Sequence, residues 1–175
     1  GKETYTSRTF SRRRRYESKL LNSWGHPVPV VAGELQKPGR EYRGKIIKTN
    51  FTNDKDSICI DMKDAYAVPS LIKLDRDFIY DRKDDTVSVT DTVEFSKPQK
   101  FGTAIITYGK VKVVSNNELL ISDRNTAVKV IISARGGDLK FTTAVINEDN
   151  GRKIKPTRIG IDFVSPVTRA AIAVK

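Results

Sequence analysis

The fold is decided by the stretch TVSVTDTVEF, residues 86–95, in which apolar and polar side chains alternate. Its three valines fall on one side of an extended chain, while the threonines and the serine fall on the other. A period of two is typical of a strand that buries one face. The preceding pair, Asp84-Asp85, suits a hairpin turn. This stretch therefore predicts a β-strand of an antiparallel sheet.

Similar short runs of β-branched and aromatic residues recur along the chain, separated by Gly, Pro, Asn and Asp, and almost no segment has a helical pattern. About a dozen strands with short links predict an all-β fold, an antiparallel β-sandwich of two stacked sheets. The pairs Asn116-Asn117 and Gly136-Gly137 suit turns that need a positive φ. The predicted strands are residues 28–32, 46–50, 57–62, 78–80, 86–95, 103–108, 111–114, 118–122, 126–133, 139–146, 158–164 and 168–174.

The first 45 residues differ from the rest in carrying many Arg, Pro and Gly residues and little apolar alternation. We therefore predict an extended basic arm at 1–45 that packs on a β-sandwich formed by 46–175, the whole being one domain. Pro27 and Pro29 flank Val28, and because proline donates no hydrogen bond, this run is unlikely to form a central strand. The chain opens on Gly1 and has no signal peptide, so we expect it to be a piece of a longer protein.

The net charge of +11 is concentrated near the N-terminus, where residues 1–60 hold 13 Lys and Arg against 6 Asp and Glu. Four consecutive arginines, at 12–15, favour a polyanionic partner: nucleic acid, an anionic membrane surface or an acidic polysaccharide. A solvated run that only aids solubility is the alternative. Nucleic acid is the weaker partner, because only Phe10 and Tyr16 flank the basic run and binding needs interleaved aromatics.

Several classes of site are excluded by composition. Cys59 is the only cysteine and His26 the only histidine, so neither a disulfide framework nor a histidine-pair metal site can form within the chain. Cys59 lies between isoleucines and is predicted to be a buried small hydrophobe. No phosphate-binding glycine loop or nucleophile elbow is present, and no apolar run reaches the ~20 residues of a membrane span.

One segment, residues 14–30, concentrates the residue types that perform chemistry. It holds His26 and Trp24, each unique in the chain, together with two arginines. Gly25 permits a close approach to a ligand, and Pro27 stiffens the backbone after the histidine. By residue type alone, a lone histidine is more often a structural or surface residue than a functional one.

The run NSWGHPVPV at residues 22–30, followed by Gly33 and Gln36, resembles the opening of the β-sandwich domain of heparinase II/III-like polysaccharide lyases. The run IDMKDAY at 60–66 is similar to the family's segment in which an aspartate is followed closely by Ala-Tyr. The runs LDR at 74–76 and VSVTD at 87–91 are similar to its arginine, valine-rich strand and aspartate. The resemblance extends from about residue 5 to residue 108.

This resemblance implies that the chain is the C-terminal β-sandwich of a two-part lyase. Such enzymes place an α/α-toroid in front of the sandwich and cleave uronic-acid polysaccharides by β-elimination in the cleft between them. His26 matches the family's sandwich histidine and is the predicted catalytic residue, either as base or as neutraliser of the substrate carboxylate. Histidine changes charge between about pH 5 and 8, which suits both roles.

The resemblance also implies a set of substrate-binding residues and partners. Arginine offers bidentate contacts to carboxylate or sulfate. Trp24 can stack on a sugar ring, and a buried core tryptophan is the alternative interpretation of this residue. The predicted partners are an acidic polysaccharide and the upstream toroid, the latter supplying the tyrosine acid that this chain lacks. Location in the periplasm or outside the cell rests on the family alone. The predicted substrate-binding residues are Arg14, Arg15, Asn22, Trp24 and Gln36.

Two further expectations limit the interpretation. Some relatives hold a structural zinc with two histidines and an aspartate; with His26 as the sole histidine, we predict neither a metal nor a cofactor. The alternative function is a non-catalytic β-sandwich module that binds polyanions or carbohydrate. It predicts that charge reversal at 12–15 abolishes binding while His26→Ala changes nothing.

Overall fold

The computed structural model describes residues 12–148 and 154–175 and contains two antiparallel β-sheets. One α-helix, α1 (Arg12–Glu17), precedes them, and 3₁₀ turns lie at Ser23–Gly25 and Lys63–Ala65. The strands are β1 (Val30–Val31), β2 (Lys45–Phe51), β3 (Lys55–Asp61), β4 (Leu71–Asp81), β5 (Thr86–Gln99), β6 (Phe101–Thr107), β7 (Lys110–Ser115), β8 (Glu118–Asp123), β9 (Thr126–Arg135), β10 (Leu139–Val145), β11 (Thr157–Phe163) and β12 (Val167–Val174).

The smaller sheet has the strand order β1-β6-β11-β10, and the larger has the order β2-β3-β4-β5-β12-β9-β8-β7. The described strands pair antiparallel throughout. The predicted all-β sandwich is therefore confirmed. Within the first 45 residues, β1 pairs with β6 at the edge of the smaller sheet, while the division at residue 45 stays a prediction.

Apolar side chains of both sheets meet between the layers. Leu74 and Ile172 of the larger sheet and Ile159 and Ile161 of the smaller are fully buried. They follow the two-residue period of their strands, so the core is the inward half of each alternating pattern. Aromatic contacts close one end of this core: Phe101 meets Phe95 edge to face at 6.4 Å and stacks on Phe163 at 6.3 Å.

Two of the turns predicted from the sequence contain a residue with a positive φ, and a third does not. Asp85 has φ 48° in the β4–β5 hairpin, and Gly136 has φ 105° after β9. Asn116 and Asn117 do form the short β7–β8 loop, but neither has a positive φ. The ladder shifts register between Val113 and Ser115, and such an irregularity adds twist that a primed turn would otherwise supply.

Two N-terminal elements differ from the extended arm that was predicted. Residues 12–17 form a helix, since arginine is a good helix former and nothing in RRRRYE breaks the turn. β1 is only two residues long, against the five predicted, because Pro27 and Pro29 remove donors from its N-terminal side. Its edge position agrees with the proline argument.

Candidate functional site

His26 follows a 3₁₀ turn that is capped by Asn22. The Asn22 Oδ1 accepts a hydrogen bond from the Trp24 amide at 2.9 Å, and its Nδ2 donates to the Tyr16 carbonyl at 3.2 Å. The His26 amide then donates to the Ser23 carbonyl at 3.3 Å. Asn22, predicted to bind substrate, therefore uses both ends of its amide inside the chain, where it fixes the turn that leads into His26.

The imidazole of His26 is exposed, while the backbone around it is held tightly. The Val28 amide donates to the His26 carbonyl at 2.8 Å, which closes a tight turn centred on Pro27. The Pro27 carbonyl in turn accepts from Arg76 Nη1 at 2.5 Å. A proline ring, a local turn and a charged hydrogen bond thus fix where the histidine projects from the surface.

The group that holds Pro27 is a buried ion pair between the sheets. Arg76 is 4% exposed and Asp91 is 1% exposed. Arg76 Nε donates to Asp91 Oδ1 at 2.6 Å and Nη2 donates to Oδ2 at 2.7 Å, a bidentate arrangement. Nη2 also donates to Thr103 Oγ1 at 3.2 Å. One guanidinium thereby joins β4, β5 and β6 to the segment that carries His26.

A second set of hydrogen bonds holds the chain after His26. The Tyr66 hydroxyl donates to the Pro29 carbonyl at 2.6 Å, and the Gln36 side chain hydrogen-bonds the same hydroxyl. Burial raises the pKa of Tyr66 well above its usual range, so the phenol keeps its proton. The Gln36 amide nitrogen of the backbone donates to Ser23 Oγ at 2.9 Å. Gln36, predicted to bind substrate, is placed to position the turn.

Trp24 packs against two cations. Lys19 Nζ lies 5.3 Å from the ring centroid, and the Arg158 guanidinium carbon lies 5.1 Å from it. Arg158 Nε also donates to the Trp24 carbonyl at 3.1 Å. These contacts hold the half-buried indole by cation–π attraction. Arg15 is exposed on α1, whereas the side chain of Arg14 lies outside the described residues.

Gly25 is required by the chain itself. A Cβ built on Gly25 would overlap the Lys19 carbonyl oxygen and lie 3.0 Å from the Leu20 Cα. The close approach that the sequence suggested is therefore made by the chain's own backbone, not by a ligand.

We expect Gly25→Ala to lower the free energy of unfolding by roughly 1–3 kcal/mol, the usual cost of overpacking. Urea unfolding would measure it, with Gly44→Ala as control, since a Cβ there lies 3.1 Å from the Ile60 Cγ2 methyl and 3.5 Å from the Asp61 carbonyl oxygen. Equal stability of the two variants would show that residues 19–20 do not depend on this glycine.

The outward face of β11 carries two charges that the sequence analysis did not single out. Arg158 and Asp162 stand on either side of Gly160, and both charged forms are disfavoured by burial. Burial raises the pKa of the Asp162 carboxyl, while Arg158 and Lys140 act in the opposite direction. The alternation RIGID was visible as a strand pattern, but only the fold shows that one of its outward charges, Arg158, lies beside Trp24.

A raised carboxyl pKa means that folding stabilises the protonated form relative to the ionised form, so the ionised carboxylate destabilises the folded protein. We therefore expect Asp162→Asn to increase the free energy of unfolding at pH 7. The gain is complete above the folded-state pKa and shrinks as the pH falls towards and below 3.8, the ordinary value. Urea unfolding across this range measures it, and a gain that does not depend on pH would contradict the account.

Other candidate centres carry little chemistry. Burial, followed by a hydrogen bond with Asp77, raises the pKa of the half-buried Cys59 thiol to about 11, which disfavours the nucleophilic thiolate. Within residues 12–148 and 154–175, no group of three or more His, Cys, Asp or Glu is arranged to hold a metal. In the same part of the chain, no helix has the length and apolar character to cross a membrane.

Several solved structures are similar to this fold. A heparinase III structure matches with a TM-score of 0.66 and 11% identity, over 98% of this chain and 26% of its own. A heparinase III structure with methylated lysines matches with a TM-score of 0.69 and 10% identity, over 99% of this chain and 26% of its own. The structure of a mutant of heparan sulfate lyase HepC from Pedobacter heparinus matches with a TM-score of 0.65 and 12% identity, over 99% of this chain and 27% of its own.

The likeness confirms the fold that the sequence resemblance implied. The chain spans about a quarter of the length of these structures. No family model matches the sequence, and no curated protein matches it either.

Proposed function

We propose that the chain is the C-terminal sandwich portion of an acidic-polysaccharide lyase and that it supplies His26 to a cleft completed by an upstream α/α-toroid. The observation that carries this proposal is the exposed imidazole on a backbone fixed by Pro27 and the buried Arg76, in a chain whose fold matches heparinase III structures over nearly all its length. The match over a quarter of those structures supports a missing larger partner region.

In β-elimination, the uronate carboxylate is neutralised, a base removes the proton beside it, and an acid protonates the departing glycosidic oxygen. His26 is suited to the first or second task, because an imidazole can carry positive charge or accept a proton near neutral pH. The acid lies outside this chain, in the toroid. The chain alone is therefore expected to be inactive.

A rigid support matters for this chemistry because a base must reach its proton within hydrogen-bond distance. Asn22, Gln36 and Arg76 hold the backbone on both sides of His26. We assign Asn22 and Gln36 to positioning the turn in addition to any contact with substrate.

The basic wall of the cleft is formed by residues from α1 and the following turn. Arg15 and Lys19 are exposed, and Lys19 is held beside Trp24. Together with Arg14 they would bind carboxylate or sulfate groups on the polymer. An extracellular polymer as substrate fits a periplasmic or secreted protein, as the family resemblance implies.

The test uses the protein that joins this chain to its upstream region, with a panel of uronic-acid polysaccharides as substrates. We expect the ultraviolet absorbance of an unsaturated uronate to rise with the longer protein on at least one polymer and to stay flat with this chain alone. No rise on any polymer would reject the lyase.

A second function, binding of polyanions without chemistry, is favoured by the net charge of +11 and the exposed Arg15. It predicts that replacing the arginines at 12–15 by glutamate abolishes retention on an anionic polysaccharide matrix, while His26→Ala leaves both retention and every other property unchanged.

A further inference from the structure

Arg158 lies on the outer face of the smaller sheet, yet it is only 6% exposed. Its neighbours in β11, Ile159 and Ile161, are fully buried and face the larger sheet, so Arg158 points away from the core. A side chain on the outer face of a two-layer fold meets solvent unless another segment covers it. Here the covering segment is the turn before His26, because the Arg158 guanidinium contacts Trp24.

Gly160 leaves the space through which Arg158 reaches that turn. It lies two positions further along the same face of β11, and a Cβ built on it would stand 2.6 Å from Arg158 Nη1. Thr142 Oγ1 lies 2.5 Å from the same point, so the chain's own side chains fill the space. The φ of Gly160 is outside the left-handed region, so glycine is required here for room and not for conformation. Any larger residue would displace the guanidinium.

Trp24 is held by this guanidinium at two places. Arg158 Nε donates to the Trp24 carbonyl at 3.1 Å, and Arg158 Cζ lies 5.1 Å from the centroid of the indole. The Trp24 amide donates to Asn22 Oδ1 at 2.9 Å. The ring, the carbonyl and the amide of this residue are therefore all fixed by contacts within the chain, two residues before His26.

Stability does not account for the burial of this charge. Within residues 12–148 and 154–175, no carboxylate lies at ion-pair distance from Arg158, and burial lowers its pKa. A buried guanidinium without such a partner costs free energy, whereas Arg76 is buried in a bidentate ion pair. An apolar side chain would fill the same space at lower cost, so the charge of Arg158 points to a role that needs its donor at Trp24.

We propose that Arg158 is a positioning residue for His26: its guanidinium lies over Gly160, holds the ring and carbonyl of Trp24, and so fixes where the histidine projects. This role rests on the proposed function, which gives His26 its reaction. Arg76 holds the backbone after the histidine. His26 is then fixed from both sides, by Arg158 on the outer face of the smaller sheet and by Arg76 between the sheets. Trp24 is assigned to this support and not to stacking on a sugar ring.

The first test uses this chain alone, in which Trp24 is the only tryptophan and gives an unambiguous fluorescence signal. In Arg158→Met, we expect the order parameter of the His26 backbone amide to fall from about 0.85, typical of a rigid backbone, to below about 0.6. The Trp24 emission should shift to longer wavelength as the indole meets more water. The free energy of unfolding should be unchanged or higher, because the variant removes a buried unpaired charge.

Gly160→Ala should cause the same loss of order, because the added methyl displaces the Arg158 guanidinium. Lys140→Met is the matched control, since it removes an exposed cation from the same outer face of the smaller sheet. It should leave both signals as they are in the wild type. Unchanged signals in both Arg158→Met and Gly160→Ala, or an equal change in Lys140→Met, would overturn the proposal.

The second test uses the longer protein, where a positioning residue acts on the chemical step and not on substrate binding. We expect Arg158→Met to lower kcat about 10²-fold, the cost of a displacement of about 1 Å, with KM changed less than about twofold. Arg158→Lys keeps a charge beside the indole but loses the planar fork, so its kcat should lie between those of Arg158→Met and the wild type. A KM that rises while kcat stays the same would show that Arg158 binds substrate and would contradict the positioning role.

Failure of the positioning role and failure of the proposed function give different results. If the longer protein releases unsaturated uronate and Arg158→Met does so at the wild-type rate, the lyase stands and the positioning role is wrong. If the longer protein releases no product while Arg158→Met and Gly160→Ala loosen the His26 backbone, the lyase is wrong and the support of the histidine segment stands.

Discussion

Replacing His26 by alanine in the protein that contains the upstream region is expected to lower kcat/KM for polysaccharide cleavage by roughly 10²–10⁴-fold, the usual contribution of a positioned acid or base. The imidazole is exposed and forms no part of the core, so the unfolding midpoint should not move. Initial rates of unsaturated uronate formation measure the first effect, and thermal unfolding measures the second.

The pH profile of the wild type separates the two roles open to His26. A base must be neutral, so activity would fall on acidification; a carboxylate neutraliser must be charged, so activity would fall as the pH rises. Lys48→Ala, on an exposed edge strand far along the larger sheet, is the control for loss of a surface cation. Equal rates for His26→Ala and the wild type would show that His26 takes no part in catalysis and that the sandwich has only a structural role.

Replacing Asp91 by asparagine is expected to cost about 3–5 kcal/mol of unfolding free energy, because it leaves the buried Arg76 guanidinium without its counter-charge. The double variant Arg76→Met/Asp91→Val should recover most of this loss, since apolar residues close in volume to those they replace remove both charges together. Urea unfolding of the single and double variants gives both values.

The matched control is the exposed pair of Lys83 and Asp54, at 2.7 Å, for which Asp54→Asn should cost under about 1 kcal/mol. The double core variant also separates stability from positioning: it should fold well, yet cleave slowly in the longer protein because the Pro27 carbonyl has lost its donor. A cost below about 1 kcal/mol for Asp91→Asn would show that the ion pair does not hold the sheets and the His26 segment together.

Much of the fold could be predicted because strands with one buried face alternate in sequence. β5 shows this pattern plainly and was placed correctly at its start, Thr86. β4 was predicted only at residues 78–80, although it runs over Leu71–Asp81. Its middle carries Asp75, Arg76 and Asp77, and no local pattern reveals that Arg76 turns inward to meet an aspartate fifteen residues away.

The candidate site was predictable only where it is local in sequence. His26 and Trp24 are close neighbours in the chain, so their concentration was visible. Arg158 comes from the far end of the chain and reaches Trp24 only because β11 lies next to β6, near which the early segment passes. Glycines such as Gly160 gave no signal by themselves, since their function depends on what a Cβ would meet across the sheet.

We propose above all that a protein containing this sandwich breaks uronate polymers by elimination. The measurement that tests it is the mass of the fragments released by the longer protein from a polymer that it cleaves. We predict that no water is added across the broken bond and that one fragment of each pair carries an unsaturated uronate. Fragments that have gained one water at each cleavage would show hydrolysis and contradict the account.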